Sequence, residues 1–261
     1  MDMSASKQPC HKASLGGGHE GKFLYVVVAQ LAIALGPDPA FAAAATERCI
    51  QQFNEGNYSA ARDSCTEAIK RNPADGLAYH ARCSVLLVLR DYDAALADCN
   101  QAITLKTRVY EAYINRCAIY GQLGNYDAAI TDCTQAIKLN ANDARSYNNR
   151  GMVYLYKDDY DHAIADLDQA VRLNPKSFES YTLRGDAYRD RGDQRQAIAD
   201  YSKAIELNPE FAWPYYGRGL VWEESKDLQK ALTDFKKYAA LAPSDPNGLK
   251  AIARVTKALG Q

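Results

Sequence analysis

The chain has 261 residues, a formal net charge of −1 and 47% hydrophobic residues, which suit one folded domain. The balanced charge argues against nucleic acid binding, because phosphate contacts need an excess of clustered Lys and Arg. Only four histidines occur, and no nucleophile–base pair or metal-ligand cluster accompanies them, so we expect neither catalysis nor a cofactor.

The first 42 residues are predicted to be a secretory signal. A polar, Gly-rich lead with three lysines precedes a 14-residue apolar run at 23–36, and Ala40-Phe41-Ala42 follows. A positive lead, a short apolar centre and a small-x-small end are typical of a cleaved signal, here cut after Ala42. An uncleaved membrane anchor and a core helix are the alternatives, but an anchor needs about 20 apolar residues. We therefore expect a bacterial type of protein that is exported to the periplasm or secreted.

One glycine-rich stretch of this lead matches the spacing of a phosphate-binding loop. Gly16 to Lys22 fit the pattern G-x-x-x-x-G-K, but Phe23 stands where a hydroxyl is needed for the metal ion. No predicted strand precedes the stretch. We therefore do not expect nucleotide binding.

From residue 42 onwards, the sequence repeats with a period of 34 residues. Six units follow without insertion, at 42–75, 76–109, 110–143, 144–177, 178–211 and 212–245. In the unit 144–177 the recurring residues are Tyr147, Gly151, Tyr154, Tyr160, Ala163, Leu167, Ala170 and Pro175. This period and these residues resemble the tetratricopeptide repeat family, and the resemblance covers the whole of 42–245.

The resemblance implies an all-α fold in which each unit is a helix-turn-helix pair. Apolar residues at helical spacing give each helix one apolar face, and Asn-Pro at 174–175 and 208–209 ends the second helix. One pair cannot bury its own apolar face, so the pairs are expected to stack into a superhelical solenoid with a concave inner surface. Residues 246–261 are predicted to form a capping helix over the last repeat.

Six cysteines distinguish the first three repeats from the last three. Each of these repeats has one cysteine at position 8 and one at position 24, where the later repeats have glycine and a larger residue. Because the two positions face each other within a repeat of this family, we expect three disulfides: Cys49–Cys65, Cys83–Cys99 and Cys117–Cys133. Reduced core cysteines are the alternative, and zinc is disfavoured because no closely spaced Cys pair occurs.

A second regular pair adjoins these positions. Position 7 is arginine in all six repeats, and position 23 is aspartate in the last five. Since they neighbour positions 8 and 24, we expect each arginine to pair with the aspartate of its own repeat rather than to form a row of phosphate-binding groups.

The inner face is the predicted binding surface, because the family supplies it from positions 2, 5, 6, 9, 12 and 13 of each first helix. The candidate residues are His80, Asn115, Arg145, Asn148, Asn149 and Tyr156 in repeats 2 to 4, and Asp186, Arg189, Trp213, Tyr216 and Glu223 in repeats 5 and 6. Amide side chains can hold an extended peptide backbone by its N–H and C=O groups, and the acidic, aromatic C-terminal end would favour a basic or amphipathic partner. The carboxylate clamp of the family is not expected, because no lysine occupies positions 2 or 5.

The sequence therefore indicates an exported, non-enzymatic scaffold or adaptor that binds a partner protein or extended peptide in a concave groove. Two alternatives stay open. One is a binding module for a cell-wall peptide or glycan, held on the aromatic and acidic C-terminal half. The other is a membrane-tethered recruitment scaffold with an uncleaved signal.

Overall fold

The computed structural model describes residues 42–260, which are helical apart from short turns. The first helices of six successive pairs are α1 Ala42–Asn54, α3 Gly76–Val88, α5 Val109–Gln122, α7 Ala144–Tyr156, α9 Phe178–Arg191 and α11 Trp213–Glu224. The second helices are α2 Tyr58–Arg71, α4 Tyr92–Thr104, α6 Tyr126–Leu139, α8 Tyr160–Leu173, α10 Gln194–Leu207 and α12 Leu228–Leu241, and α13 Pro246–Ala258 closes the series. The predicted all-α superhelix of six repeats with a capping helix is confirmed. The predicted signal and the glycine-rich stretch within it lie outside the described residues, apart from Ala42, where α1 begins.

The first helices form the inner layer of the superhelix. Each helix packs against the next one in the chain, and the first helices of neighbouring repeats also contact one another. An inner face is therefore built from α3, α5, α7, α9 and α11 side by side. Within residues 42–260, each helix falls short of the length and apolar character needed to cross a lipid bilayer.

Short polar side chains set the helix boundaries. Asp143 begins α7 by accepting a hydrogen bond from the backbone N–H of Arg145, and Ser177 begins α9 by accepting one from Ser180. At the other end, Asn174 leaves α8 with φ −133° and ψ 84°, as expected for a residue that precedes proline. The two caps fix where α7 and α9 start, and so which of their side chains reach the inner face.

Positions 8 and 24 meet between the two helices of each repeat. In repeats 1 to 3 the Cα atoms of the paired cysteines lie 5.2, 5.5 and 5.4 Å apart, and all six side chains are buried. In repeat 4 a Cβ added to Gly151 would lie 2.8 Å from Leu167, and in repeat 6 one added to Gly219 would lie 2.7 Å from the ring of Phe235. The same space is thus filled by two sulfur atoms in one half of the chain and by one large side chain in the other.

The arginine at position 7 joins three helices. Arg150 donates from Nε and Nη2 to Asp166 of its own repeat, each at 2.7 Å, and from Nη1 to Thr134 of the preceding repeat at 2.9 Å. Arg82, Arg116, Arg184 and Arg218 repeat this pattern with Asp98, Asp132, Asp200 and Asp234. Their Nη1 partners in the preceding repeat are Thr66, Asn100, Asp168 and Ser202. The predicted Arg–Asp pairing is confirmed in repeats 2 to 6, and the bond to the preceding repeat is an additional link between neighbours.

Candidate functional site

Unpaired polar atoms mark one part of the inner face. Among the described residues, the buried side-chain nitrogen and oxygen atoms without a hydrogen-bond partner belong to His80, Glu111, Ser146, Asn148 and Asn149. All five residues lie on α3, α5 or α7, the first helices of repeats 2 to 4. An unpaired buried polar group costs about 1–3 kcal/mol, so their concentration on adjacent inner helices makes this part of the inner face the candidate site.

His80 is the candidate at the N-terminal end of this surface. Its side chain is buried, and neither ring nitrogen has a partner. Burial, together with the positive charges of Arg108 and Arg145, lowers the pKa of His80 to about 4. At neutral pH the ring is therefore uncharged and offers one donor and one acceptor.

Three asparagines continue the surface, and their hydrogen bonding differs. Asn115 donates to Ser84 of the preceding repeat at 2.9 Å, and Asn148 accepts from Ser180 of the following repeat at 2.8 Å. Asn148 keeps an unpaired Nδ2, and Asn149 has neither amide atom paired although only 1% of it is exposed. Asn115 and Asn148 thus lie in the contacts between adjacent inner helices, whereas Asn149 is buried without such a bond.

Two ion pairs border the buried groups. Arg108 immediately precedes α5 and has a left-handed backbone conformation, with φ 46°. Its side chain donates to Glu111 at 3.2 Å. Arg145 is held by Asp143, to which Nη2 donates at 2.6 Å. Tyr110 lies beside both pairs, and burial together with the negative charge of Glu111 raises its pKa. Sequence reasoning missed Glu111, although it occupies the inner position 2 of repeat 3.

The C-terminal candidates are paired within the chain. Asp186 accepts from Arg189 at 3.2 Å and from Nε1 of Trp213 at 3.2 Å, and Glu223 accepts from Arg254 of the capping helix at 2.6 Å. The expected open acidic end is therefore corrected for Asp186 and Glu223. The physical reason is that α9, α11 and α13 each supply a donor that compensates these carboxylates.

The aromatic candidates pack on other rings. The ring of Tyr216 lies 4.8 Å from that of Tyr238 and 5.4 Å from that of Trp213, measured between centroids. Tyr156 lies 5.9 Å from Tyr126 in a stacked arrangement, and burial raises its pKa. These rings contribute to packing, and a ligand would find only their edges or partial faces. Within residues 42–260, no three His, Cys, Asp or Glu side chains are grouped closely enough to hold a metal ion.

Family models now identify the repeats that carry this surface. Models described as tetratricopeptide repeat match 52–108, 110–143 and 144–177, and one described as TPR repeat matches 185–225. Together these matches cover more than half of the chain. The chain is a tetratricopeptide repeat protein. Tetratricopeptide repeats generally serve as scaffolds for interactions between proteins. No curated protein sequence matches the chain.

Solved structures with the same fold are distant in sequence. The APC/C hetero-tetramer Cut9–Hcn1 superposes with a TM-score of 0.76 at 21% identity, and the match covers 82% of this chain but only 42% of that one. A tetratricopeptide repeat protein from Parabacteroides merdae gives 0.66 at 22% identity, covering 84% of this chain and 86% of that one. YrrB, described as a TPR protein with an unusual peptide-binding site, gives 0.55 at 22% identity, covering 72% of this chain and 96% of that one. At these identities, the likeness establishes the fold alone.

Proposed function

We propose that this tetratricopeptide repeat protein binds an extended segment of a partner protein along the inner face of repeats 2 to 4. The observation that carries the proposal is the set of unpaired, buried polar atoms on α3, α5 and α7. The set contains both donors and acceptors, since a neutral His80 supplies both kinds and the Asn149 amide does as well. A peptide backbone likewise presents both N–H donors and C=O acceptors.

The burial of these groups implies that binding is accompanied by side-chain rearrangement. His80 is 6% exposed and Asn149 is 1% exposed, so a ligand must move neighbouring side chains to reach their polar atoms. The free energy lost in leaving these groups unpaired is then recovered in the complex. This role is that of a non-enzymatic scaffold or adaptor, and the inner groups take part in hydrogen bonding rather than in chemistry.

The proposal includes export and three disulfides. Export is supported by the signal-like pattern of residues 1–42, and the disulfides by the Cα separations of the three cysteine pairs. The test is the intact mass of the protein recovered from its host without reductant. We expect a chain that starts at Ala43 and gains six hydrogen atoms on reduction, two for each pair. A full-length mass that reduction does not change would contradict both parts.

Peptide binding is tested with a displayed library of random linear peptides selected against the purified chain. The affinity of each enriched peptide is then measured by fluorescence anisotropy for the wild type, Asn149→Leu and Asn125→Ala. Asn125 is a matched control because it is exposed, begins α6 and makes no side-chain capping bond.

We expect Asn149→Leu to weaken binding by about tenfold or more, the equivalent of one buried hydrogen-bonded group, and Asn125→Ala to leave it unchanged. Failure to enrich any peptide, or equal affinity for the wild type and Asn149→Leu, would overturn the proposed peptide site.

A further inference from the structure

A cavity of about 610 Å³ lies at one edge of the superhelix, between the turn that joins repeats 3 and 4 and the turn that joins repeats 4 and 5. Asn142 and Lys176 belong to its exposed rim, whereas Asn148 and Ser180 are buried. Cavities of roughly 300–1,000 Å³ are typical of small-molecule sites. The cavity is therefore large enough for one or two rings of an organic ligand.

The buried side of this cavity carries an unpaired donor. Oδ1 of Asn148 accepts from Ser180 at 2.8 Å, which leaves Nδ2 as the remaining polar group of this side chain. Nδ2 has no partner, and Asn148 is only 2% exposed. The hydroxyl of Ser180 is shared between Asn148 and Ser177, at 2.8 and 3.0 Å. A ligand that accepts a hydrogen bond from Asn148 would relieve an unpaired buried group.

The charged side chains around the cavity sum to zero. Two are acidic, Asp143 and Glu179, and two are basic, Arg145 and Lys176. Asp143 is bound to Arg145, and Glu179 accepts from the hydroxyl of Ser177 at 2.9 Å. The lining therefore carries no net charge, and a polar ligand without net charge is favoured.

We propose that this cavity binds a neutral sugar unit of an oligosaccharide. A sugar hydroxyl both donates and accepts, so it matches planar amide, carboxylate and guanidinium groups such as those of Asn148, Asp143 and Arg145. Half-buried rings of Tyr110 and Phe178 also line the cavity and can pack against the C–H face of a sugar ring. A peptide anchor is less suited, because anchors in interface pockets are typically aromatic or Arg side chains that enter dry, apolar pockets.

The cavity can be filled without removing any of its hydrogen bonds. Ala144 lines it at position 1 of repeat 4, and the same position holds Tyr110 in repeat 3 and Phe178 in repeat 5. Ala144→Phe therefore places an aromatic ring in the cavity. The two neighbouring repeats already carry a ring at this position. Ala212→Phe, at position 1 of repeat 6, is the matched control, because Ala212 lies outside the cavity lining.

The experiment measures binding of chitotriose, maltotriose, a trigalacturonate and a neutral polar tripeptide to the purified chain by isothermal titration and saturation-transfer NMR. We expect at least one neutral trisaccharide to bind with a dissociation constant of about 1 mM or lower. Ala144→Phe and Asn148→Ala should each weaken that binding by about tenfold, whereas Ala212→Phe should leave it unchanged. Preference for the anionic trisaccharide or for the tripeptide, no binding of any neutral trisaccharide, or binding that survives Ala144→Phe would overturn the proposal.

The variants separate this site from the peptide site on the inner face. Asn148 belongs to both sites, so the distinction rests on two other residues: Asn149 is absent from the cavity lining, and Ala144 is absent from the set of unpaired inner groups. Asn149→Leu should therefore weaken the selected peptides and spare the trisaccharide, and Ala144→Phe should do the reverse. Each proposal can fail while the other stands.

Discussion

The hydroxyl of Tyr201 donates to the carboxylate of Asp186 at 2.7 Å, although Tyr201 belongs to the second helix of repeat 5 and Asp186 to the first. The ring passes beside two glycines, because a Cβ added to Gly185 or Gly217 would lie 2.9 or 2.5 Å from it. Tyr201 is fully buried, and burial raises its pKa well above the ordinary value, so the hydroxyl stays protonated as a donor. The second helix of repeat 5 thus contributes a hydrogen-bond donor to a residue of the inner face.

Removal of this hydroxyl should destabilise the chain. Tyr201→Phe leaves the buried carboxylate of Asp186 with one donor fewer, and we expect the free energy of unfolding to fall by about 1–3 kcal/mol. Urea unfolding followed by circular dichroism measures the change. Tyr188→Phe is the control, because Tyr188 is only partly buried and a neutral effect is expected there. An unchanged midpoint for Tyr201→Phe would contradict the role assigned to this bond.

Replacement of the asparagine at position 6 should change the free energy of unfolding in opposite directions in two adjacent repeats. Asn149→Leu removes an unpaired buried amide and should raise the free energy of unfolding by about 1 kcal/mol. Asn115→Leu removes an amide that donates to Ser84 at 2.9 Å and should lower it by a similar amount. Thermal and urea unfolding of both variants measure the two signs. The prediction fails if both variants are destabilised equally.

The free energy of unfolding should depend on the protonation of His80 in mild acid. The pKa of His80 is about 4 in the folded chain and 6.5 in the unfolded chain, so the folded state binds fewer protons between these values. Stability from this group is complete above pH 6.5 and is lost as pH falls towards 4, by up to about 3 kcal/mol. Below that range both states are protonated, and the loss ceases.

The measurement compares urea unfolding at pH 7 and pH 4.5 for the wild type and His80→Leu. The variant should lose less stability than the wild type between the two pH values. An NMR titration of the wild type provides a check that does not depend on the variant. A His80 signal that titrates near pH 6.5 would refute the assignment.

Reduction should weaken the two halves of the superhelix unequally. Each cysteine pair spans 16 residues, and breaking one crosslink of this length costs about 3 kcal/mol on the chain-entropy model. In a repeat protein such losses act mainly on the affected repeats and their neighbours. Hydrogen exchange with and without reductant should therefore show lost protection in 42–143 and retained protection in 178–245. Uniform loss, or none, would be inconsistent with crosslinked N-terminal repeats.

The sequence alone determined the architecture, because a period of 34 residues is a local pattern copied along the chain. Helix positions follow from residues such as Gly151 and Pro175, whose effects are felt within a turn or between two adjacent helices. The pairing of Arg150 with Asp166 is predicted in the same way, since arginine at position 7 and aspartate at position 23 recur together in the last five repeats. Interactions within one repeat can therefore be predicted from the sequence of that repeat.

Only the tertiary structure decided how the repeats bind one another and where polar groups stay unpaired. Asn115 and Asn149 occupy the same position, yet one meets Ser84 and the other finds no partner, because the neighbouring repeat differs. The third bond of Arg150, to Thr134, likewise depends on the stacking of two repeats. The cavity beside Asn148 is bordered by three consecutive repeats. Side chains from separate repeats come together only when the repeats stack. A repeat pattern therefore predicts the fold but not the arrangement of side chains at the site.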